Sequence, residues 1–218
     1  MRTFVFCFVA LLGSIANGQT LDVVRGQTLT LSGINTYDRI TVYSGGRLVI
    51  EPGSEIVFKH LGWADIRGTL EAVGTTEKPI VFRSIDSSIC WRGIQSNNTS
   101  RTLDAVVKLH HCVVSGVGRK STDTSTSNRV AVGVGLYGVL DLDQVSIECE
   151  KHAKTLVRGV IAGASRPASI RNVTVFNANV GLHVASATDL IIDNLTAIDC
   201  NSAIEAKSAV VQVSGLVN

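Results

Sequence analysis

Two carboxylates pose the sharpest chemical question in this sequence. Asp141 and Asp143 are separated by one residue, Leu142. In an extended strand an i, i+2 pair projects from one face about 7 Å apart, within the range of the two carboxyl groups of an inverting glycosidase. Asp141 and Asp143 are therefore the candidate catalytic residues. His110-His111 is a second place to look; the pair precedes inward Cys112, so one histidine points out and the other lies near the turn matched by Asn172. Metal ligation there needs a third ligand that the sequence does not supply. Asp189 and Asp193 are close together in the chain and read as turn carboxylates. No CxxC spacing marks a zinc site, and no metal or cofactor is expected.

Other residue types carry modification chemistry. Asn97-Asn98-Thr99-Ser100 holds two overlapping glycosylation sequons, which places that stretch on the surface. Asn172-Val173-Thr174 and Asn194-Leu195-Thr196 are two more. Asn172 and Asn194 also sit where the apolar alternation resets its phase, a position suited to a left-handed backbone, which Asn tolerates. Two readings stand side by side for them: glycan attachment, or a stacked pair of turn asparagines bonded to each other. Of the five cysteines, Cys7 lies in the leader described below, leaving Cys90, Cys112, Cys149 and Cys200. Four cysteines allow two disulfides in three connectivities.

The elements that must position these residues are strands. From Gly46 to Phe82, Leu48 and Ile50, Ile56 and Phe58, Leu70 and Ala72, and Ile80 and Phe82 are apolar pairs two apart. That is the period of a strand with one face buried. Pro52-Gly53 and the run 74–78 punctuate them as turns. Gly46-Arg47-Leu48 returns as Gly68-Thr69-Leu70, a step of about 22 residues. A unit of that size cannot bury its own apolar face and must stack on its neighbours.

The second half repeats the pattern. Ile170 to Val184 aligns with Ile192 to Ala206 at the same step, with Asn172 on Asn194 and Val173 on Leu195. Leu142 and Leu109 begin earlier copies at longer spacings, the excess falling near 150–155 and in the polar run 118–129. Leu29, Leu31, Ile40 and Val42 extend the alternation towards the N-terminus. The register turns Leu48, Ile50, Ile56, Phe58, Leu70, Ile80, Phe82, Val145, Val173 and Leu195 inward. Cys112 shares an inward row with Val145, as a buried small hydrophobe rather than a nucleophile. Cys149 aligns with Asn177 and Asp199 at a loop position. Cys200 falls two coils beyond Cys149, roughly 10 Å away and too far for a disulfide. Trp91 reads as a core or corner aromatic in a chain only 5% aromatic.

Composition bounds the rest. The 218 residues are 45% hydrophobic and 17% charged, enough for one elongated domain. Arg2 followed by the apolar run Phe4 to Leu12, with small residues at Ala16 and Gly18, is a secretory leader, so residues 1–18 are a signal peptide and 19–218 the folded domain. Polar residues begin at Ser14, too early for a membrane span, and no later segment is apolar for long enough to anchor the chain. Twenty basic residues, one of them Arg2 of the leader, against 18 acidic ones leave no nucleic-acid footprint. The adjacent Arg119-Lys120 is solvated surface. The last repeat has no polar cap after Val210 to Val213, so the chain is expected to be the N-terminal piece of a longer β-helix protein or to have its open end covered by a partner, and residues 19–218 made alone are expected to self-associate through the C-terminal coil.

Gly46 to Phe58, Gly68 to Ser84, and Cys90-Trp91-Arg92-Gly93-Ile94 resemble the right-handed parallel β-helix repeats of secreted and cell-surface proteins, and among animal proteins the bark beetle family of tricellular-junction proteins. That resemblance implies an all-β, right-handed parallel β-helix, a solenoid whose coils have the length of the repeat. It also implies a non-catalytic extracellular module for adhesion, scaffolding or ligand binding, with a protein or glycan partner. The alternative is a carbohydrate-active β-helix enzyme of pectin lyase or glycoside hydrolase type. The Asp-Asp, Gly-His-Gly and Arg-Ile-Lys runs of polygalacturonases are missing here.

Overall fold

The computed structural model describes residues 19–87, 89–96, 105–118, 129–134, 138–150, 157–164, 168–187, 190–206 and 212–217. Over these the chain is all β, with no helix. In chain order the strands are β1 (Thr20–Val23), β2 (Thr28–Leu31), β3 (Ile34–Val42), β4 (Arg47–Ile50), β5 (Glu55–Ile66) and β6 (Thr69–Val73). Next come β7 (Ile80–Ser84), β8 (Ile94–Ser96), β9 (Val106–Val117), β10 (Arg129–Val134), β11 (Val139–Cys149) and β12 (Val157–Ala164). β13 (Ala168–Phe176), β14 (Val180–Ala187), β15 (Leu190–Ile198), β16 (Ser202–Ala206) and β17 (Gln212–Val217) follow.

Among the described residues every strand pairing is parallel, and the pairings form three ladders. The first joins β2, β4 and β6, the N-terminal halves of β9, β11, β13 and β15, and β17. The second joins the N-terminal halves of β3 and β5, then β7 and the C-terminal halves of β9, β11, β13 and β15. The third joins β1, the C-terminal halves of β3 and β5, then β8, β10, β12, β14 and β16. The chain visits the ladders in turn and returns to the first one rung further on. That is a solenoid-like stack of parallel strands, as the repeat requires.

The register matches the sequence repeat. Leu48 pairs with Leu70, Leu109 with Leu142, Leu142 with Ile170, and Ile170 with Ile192. All ten residues expected to point inward are no more than 2% exposed. Ile80, Cys112, Val145, Val173 and Leu195 stack as one buried row. Each such side chain gains about 1.5–3 kcal/mol from burial, which no rung could obtain without the rungs on either side. Trp91 is fully buried and stacks on Phe58 with ring centroids 4.3 Å apart, its Nε1 donating to the Ser115 carbonyl at 2.7 Å.

Where β9, β11, β13 and β15 bend from the first ladder to the second, the hinge residues are His111, Gln144, Asn172 and Asn194, at φ 49°, 53°, 50° and 62°. The left-handed turn expected at Asn172 and Asn194 is present. The same hinge accepts His and Gln, which carry a larger steric cost there than Asn. Space is tight between the second and third ladders. A Cβ on Gly159 would lie 2.4 Å from Val175 Cγ1.

Two placements differ from expectation. Cys149 is not in a loop but is the last residue of β11, 2% exposed, opposite Val117. The alternation that buries Val145 and Ile147 runs on one step further in β11 and turns the thiol inward, while β9 bulges out Gly116 opposite the Glu148–Cys149 step. Asp193 lies within β15, opposite Arg171, rather than in a turn; Asp189 falls outside the described residues. Cys90, Cys112, Cys149 and Cys200 are not cross-linked to one another.

Candidate functional site

Asp141 and Asp143 lie on the outer side of the first ladder, flanking Leu142, which is fully buried. Neither carboxylate is idle. Asp141 Oδ2 is 3.0 Å from His110 Nε2 on the rung before, with both side chains partly exposed. Asp143 Oδ1 accepts a hydrogen bond from Asn172 Nδ2 at 3.1 Å on the rung after. Asn172 Oδ1 in turn accepts one from Asn194 Nδ2 at 3.0 Å. The two carboxylates thus belong to side-chain bonds running along the stack. Sequence spacing correctly put them on one face, and their occupancy by partners from the neighbouring rungs was not visible locally.

Asn172 and Asn194 are both exposed, so the stacked-asparagine arrangement occupies the same two residues as the sequons. A second pair repeats it at the next corner, where Asn201 Nδ2 donates to Asn179 Oδ1 at 2.9 Å. Asn97 and Asn98 lie outside the described residues.

Charges on this outer face alternate in sign from rung to rung. Arg47 bonds Glu71, and Glu71 faces Lys108. Lys108 faces Asp141, Asp143 faces Arg171, and Arg171 faces Asp193. Cross-strand pairs of opposite charge contribute roughly 0.2–1 kcal/mol each, and a one-rung slip would juxtapose like charges. The face therefore fixes register through its charges.

A cleft of ≈ 390 Å³ lies at a different corner, where the second ladder passes to the third. Arg83 and Asp86, then Ser115 and Gly116, then Glu148, Cys149 and Glu150 line it on successive rungs, and neither Asp141 nor Asp143 reaches it. Arg83 is tied to Glu55. Burial pushes the Cys149 thiol well above its ordinary range, and the neighbouring Cys200 and Glu148 push it the same way. Burial also raises Cys112 to about 12, partly offset by a backbone hydrogen bond with His110. Neither buried thiol is poised as a nucleophile, since the thiolate is the reactive form.

On the third ladder the structure assembles a group that sequence spacing did not single out. Trp63 points outward between Arg39 and Arg92, both of them distant from it in the chain. Only the rung register brings them together. Comparison with known proteins finds no matching family model, no matching curated protein and no matching solved structure.

Proposed function

We propose that the chain is a right-handed parallel β-helix that works outside the cell as a non-catalytic module for adhesion, scaffolding or ligand binding, within a larger cell-surface or junction protein. Right-handedness follows from the crossover rule for parallel strands in one sheet. The leader, Arg2 with Phe4 to Leu12, supports secretion, and Asn97, Asn98, Asn172 and Asn194 are its candidate glycan acceptors. One observation carries the non-catalytic reading. The best-spaced carboxylates, Asp141 and Asp143, are bonded to His110 and Asn172 along the stack and stand outside the cleft. Parallel stacks present long surfaces of in-register side chains, suited to extended protein or glycan partners.

The test is turnover. Secreted protein incubated with pectins and other uronic-acid polymers is expected to release neither new reducing ends nor unsaturated products. Release by the wild type that disappears in Asp141→Asn or Asp143→Asn would establish the carbohydrate-active alternative instead.

A further inference from the structure

The cleft between the second and third ladders exists because a rung of small residues lies between two that carry long ones. Ser115 and Gly116 line it from the middle rung. Glu148 pairs with Ser115 from the rung after, and Arg83 lies one step beyond the Phe82–Val114 pair on the rung before. Rungs stack at about 4.8 Å, so the backbones of Arg83 and Glu148 stand about 10 Å apart on either side of Ser115. A Cβ on Gly116 would collide with the Ser84 side chain, so the middle rung has no room for a larger residue there.

Three groups lining the cleft are acceptors without a donor. Arg83 does not serve them, because it bonds Glu55 and the Ser84 carbonyl. Glu148 is exposed and stands between Ser115 and Phe176, neither of them charged. Glu150 is half-buried two residues further on. Among the described residues neither carboxylate has a hydrogen bond or an ion pair. The third group is Asn177 on the next rung, only 6% exposed. Its backbone N–H donates to the Ile198 carbonyl at 3.0 Å, but its side-chain amide has no partner among the described residues. Other asparagines bond along the stack, Asn194 to Asn172 and Asn201 to Asn179. A buried amide left unpaired is costly, so Asn177 marks a place where a ligand group belongs.

The set calls for a cation that carries several donors. Glu148 and Glu150 are two residues apart along an extended chain, about 7 Å, too wide for both to ligate one calcium ion at about 2.3–2.6 Å. No group of three or more His, Cys, Asp or Glu among the described residues is placed to hold a metal ion. A guanidinium fits better. Its planar fork has donors on opposite edges, and bonds of about 2.9 Å on each side bridge acceptors that far apart. The formal net charge of the chain is +2, so its overall field does not gather cations and capture depends on the local carboxylates.

We propose that this cleft docks an arginine side chain of a protein partner, its guanidinium donating to Glu148, Glu150 and Asn177 Oδ1. The assignment rests on the reading of the chain as an extracellular binding module and names the chemistry of its partner. At ≈ 390 Å³ the cleft admits a side chain rather than a folded element.

The experiment is calorimetric titration of the purified protein with triarginine amide, with trilysine amide and the neutral isostere tricitrulline amide as controls. Triarginine is expected to bind, trilysine at least about threefold more weakly, and tricitrulline at least about tenfold more weakly. Glu148→Gln and Glu150→Gln should each weaken binding about tenfold. Asn177→Gly removes the amide but keeps the left-handed backbone at φ 59°, and should weaken binding about fivefold. Asn177→Asp keeps an acceptor and should bind at least as tightly as the wild type. Glu51→Gln removes the same charge from an exposed turn and should change nothing. Circular dichroism establishes folding of each variant, and the two glutamate variants decide the matter if those at Asn177 do not fold. Absence of triarginine binding, equal binding of tricitrulline, tighter binding of trilysine, or indifference to the double Gln variant would each overturn the site. So would an equal loss in Glu51→Gln, unchanged binding in a folded Asn177→Gly, or displacement of triarginine by equimolar calcium. Each of these removes the site alone, because the non-catalytic reading fails only through turnover of the uronic-acid polymers.

Discussion

Leu70→Ala is the perturbation that probes the stacked core most sharply. Leu70 lies in β6, 1% exposed, in the inward row Leu48, Leu70, Val107, Leu140, Ala168 and Leu190 of the first ladder. Truncation removes three carbons from this row, a transfer loss of about 2.4 kcal/mol at roughly 0.8 per methylene. The residual cavity adds to this, because the neighbours Leu48 and Val107 are held by their own backbone ladders and can close only part of the gap. Large-to-small changes at such sites cost about 2.7–5 kcal/mol in total, so about 3–4 is expected here. Urea unfolding followed by far-UV circular dichroism reads the loss. Hydrogen exchange should localise it to β4, β6 and β9, since rungs interact chiefly with their neighbours. Ile191→Ala is the control, because Ile191 is 51% exposed on the outer side of β15 and should change stability by less than about 0.5 kcal/mol. A cost for Leu70→Ala below about 1 kcal/mol, or equal to that of the control, would refute the inward assignment. Leu70→Asp should yield no folded protein, as it strands a charge in the same row.

Gly159→Ala should destabilise by about 1–3 kcal/mol because its Cβ would lie 2.4 Å from Val175 Cγ1 and 2.8 Å from the Gly181 carbonyl oxygen, and in a Val175→Ala background, where only the first contact is gone, the same change should cost less; an additive double-mutant cycle would contradict this. In protein made without glycans, Asn194→Ala should cost about 1–2 kcal/mol, from a left-handed Ala at φ 62° and the lost bond to Asn172, while Asn194→Gly should cost less. Equal melting temperatures for the two variants would be evidence against strain at the hinge. The Cys112 thiol is raised to about 12, and burial also raises Tyr37 and Cys149. A raised folded pKa contributes stability that is intact below the unfolded value near 9.0 and is lost as pH rises towards about 12. The urea midpoint should therefore fall above pH about 9, less steeply in Cys112→Ala; a midpoint independent of pH would exclude this coupling.

Much of the fold was readable because its core is written in identical steps. The alternation at Leu48-Ile50 and Leu70-Ala72, and its return at Ile170 and Ile192, fixes both strand period and rung register. The irregular steps from Leu109 to Leu142 to Ile170 were assignable because the excess residues are polar and fall between apolar strands. Asn172 and Asn194 were readable as hinges because they sit at the phase change. Cys149 was misplaced because its counterparts Asn177 and Asp199 lie beyond the ends of β13 and β15, whereas β11 carries the Val145, Ile147 alternation one step further. The group around Trp63 was invisible for a different reason. Its residues follow no local motif, and their proximity depends on a register propagated across two rungs.

A crystal structure of the chain tests the proposed β-helix most directly. The expected result is a right-handed coil whose first ladder stacks Leu48, Leu70, Val107, Leu140, Ala168 and Leu190 in parallel register, with Trp63 outward between Arg39 and Arg92. Antiparallel hairpins over 46–82, or a left-handed coil, would contradict it.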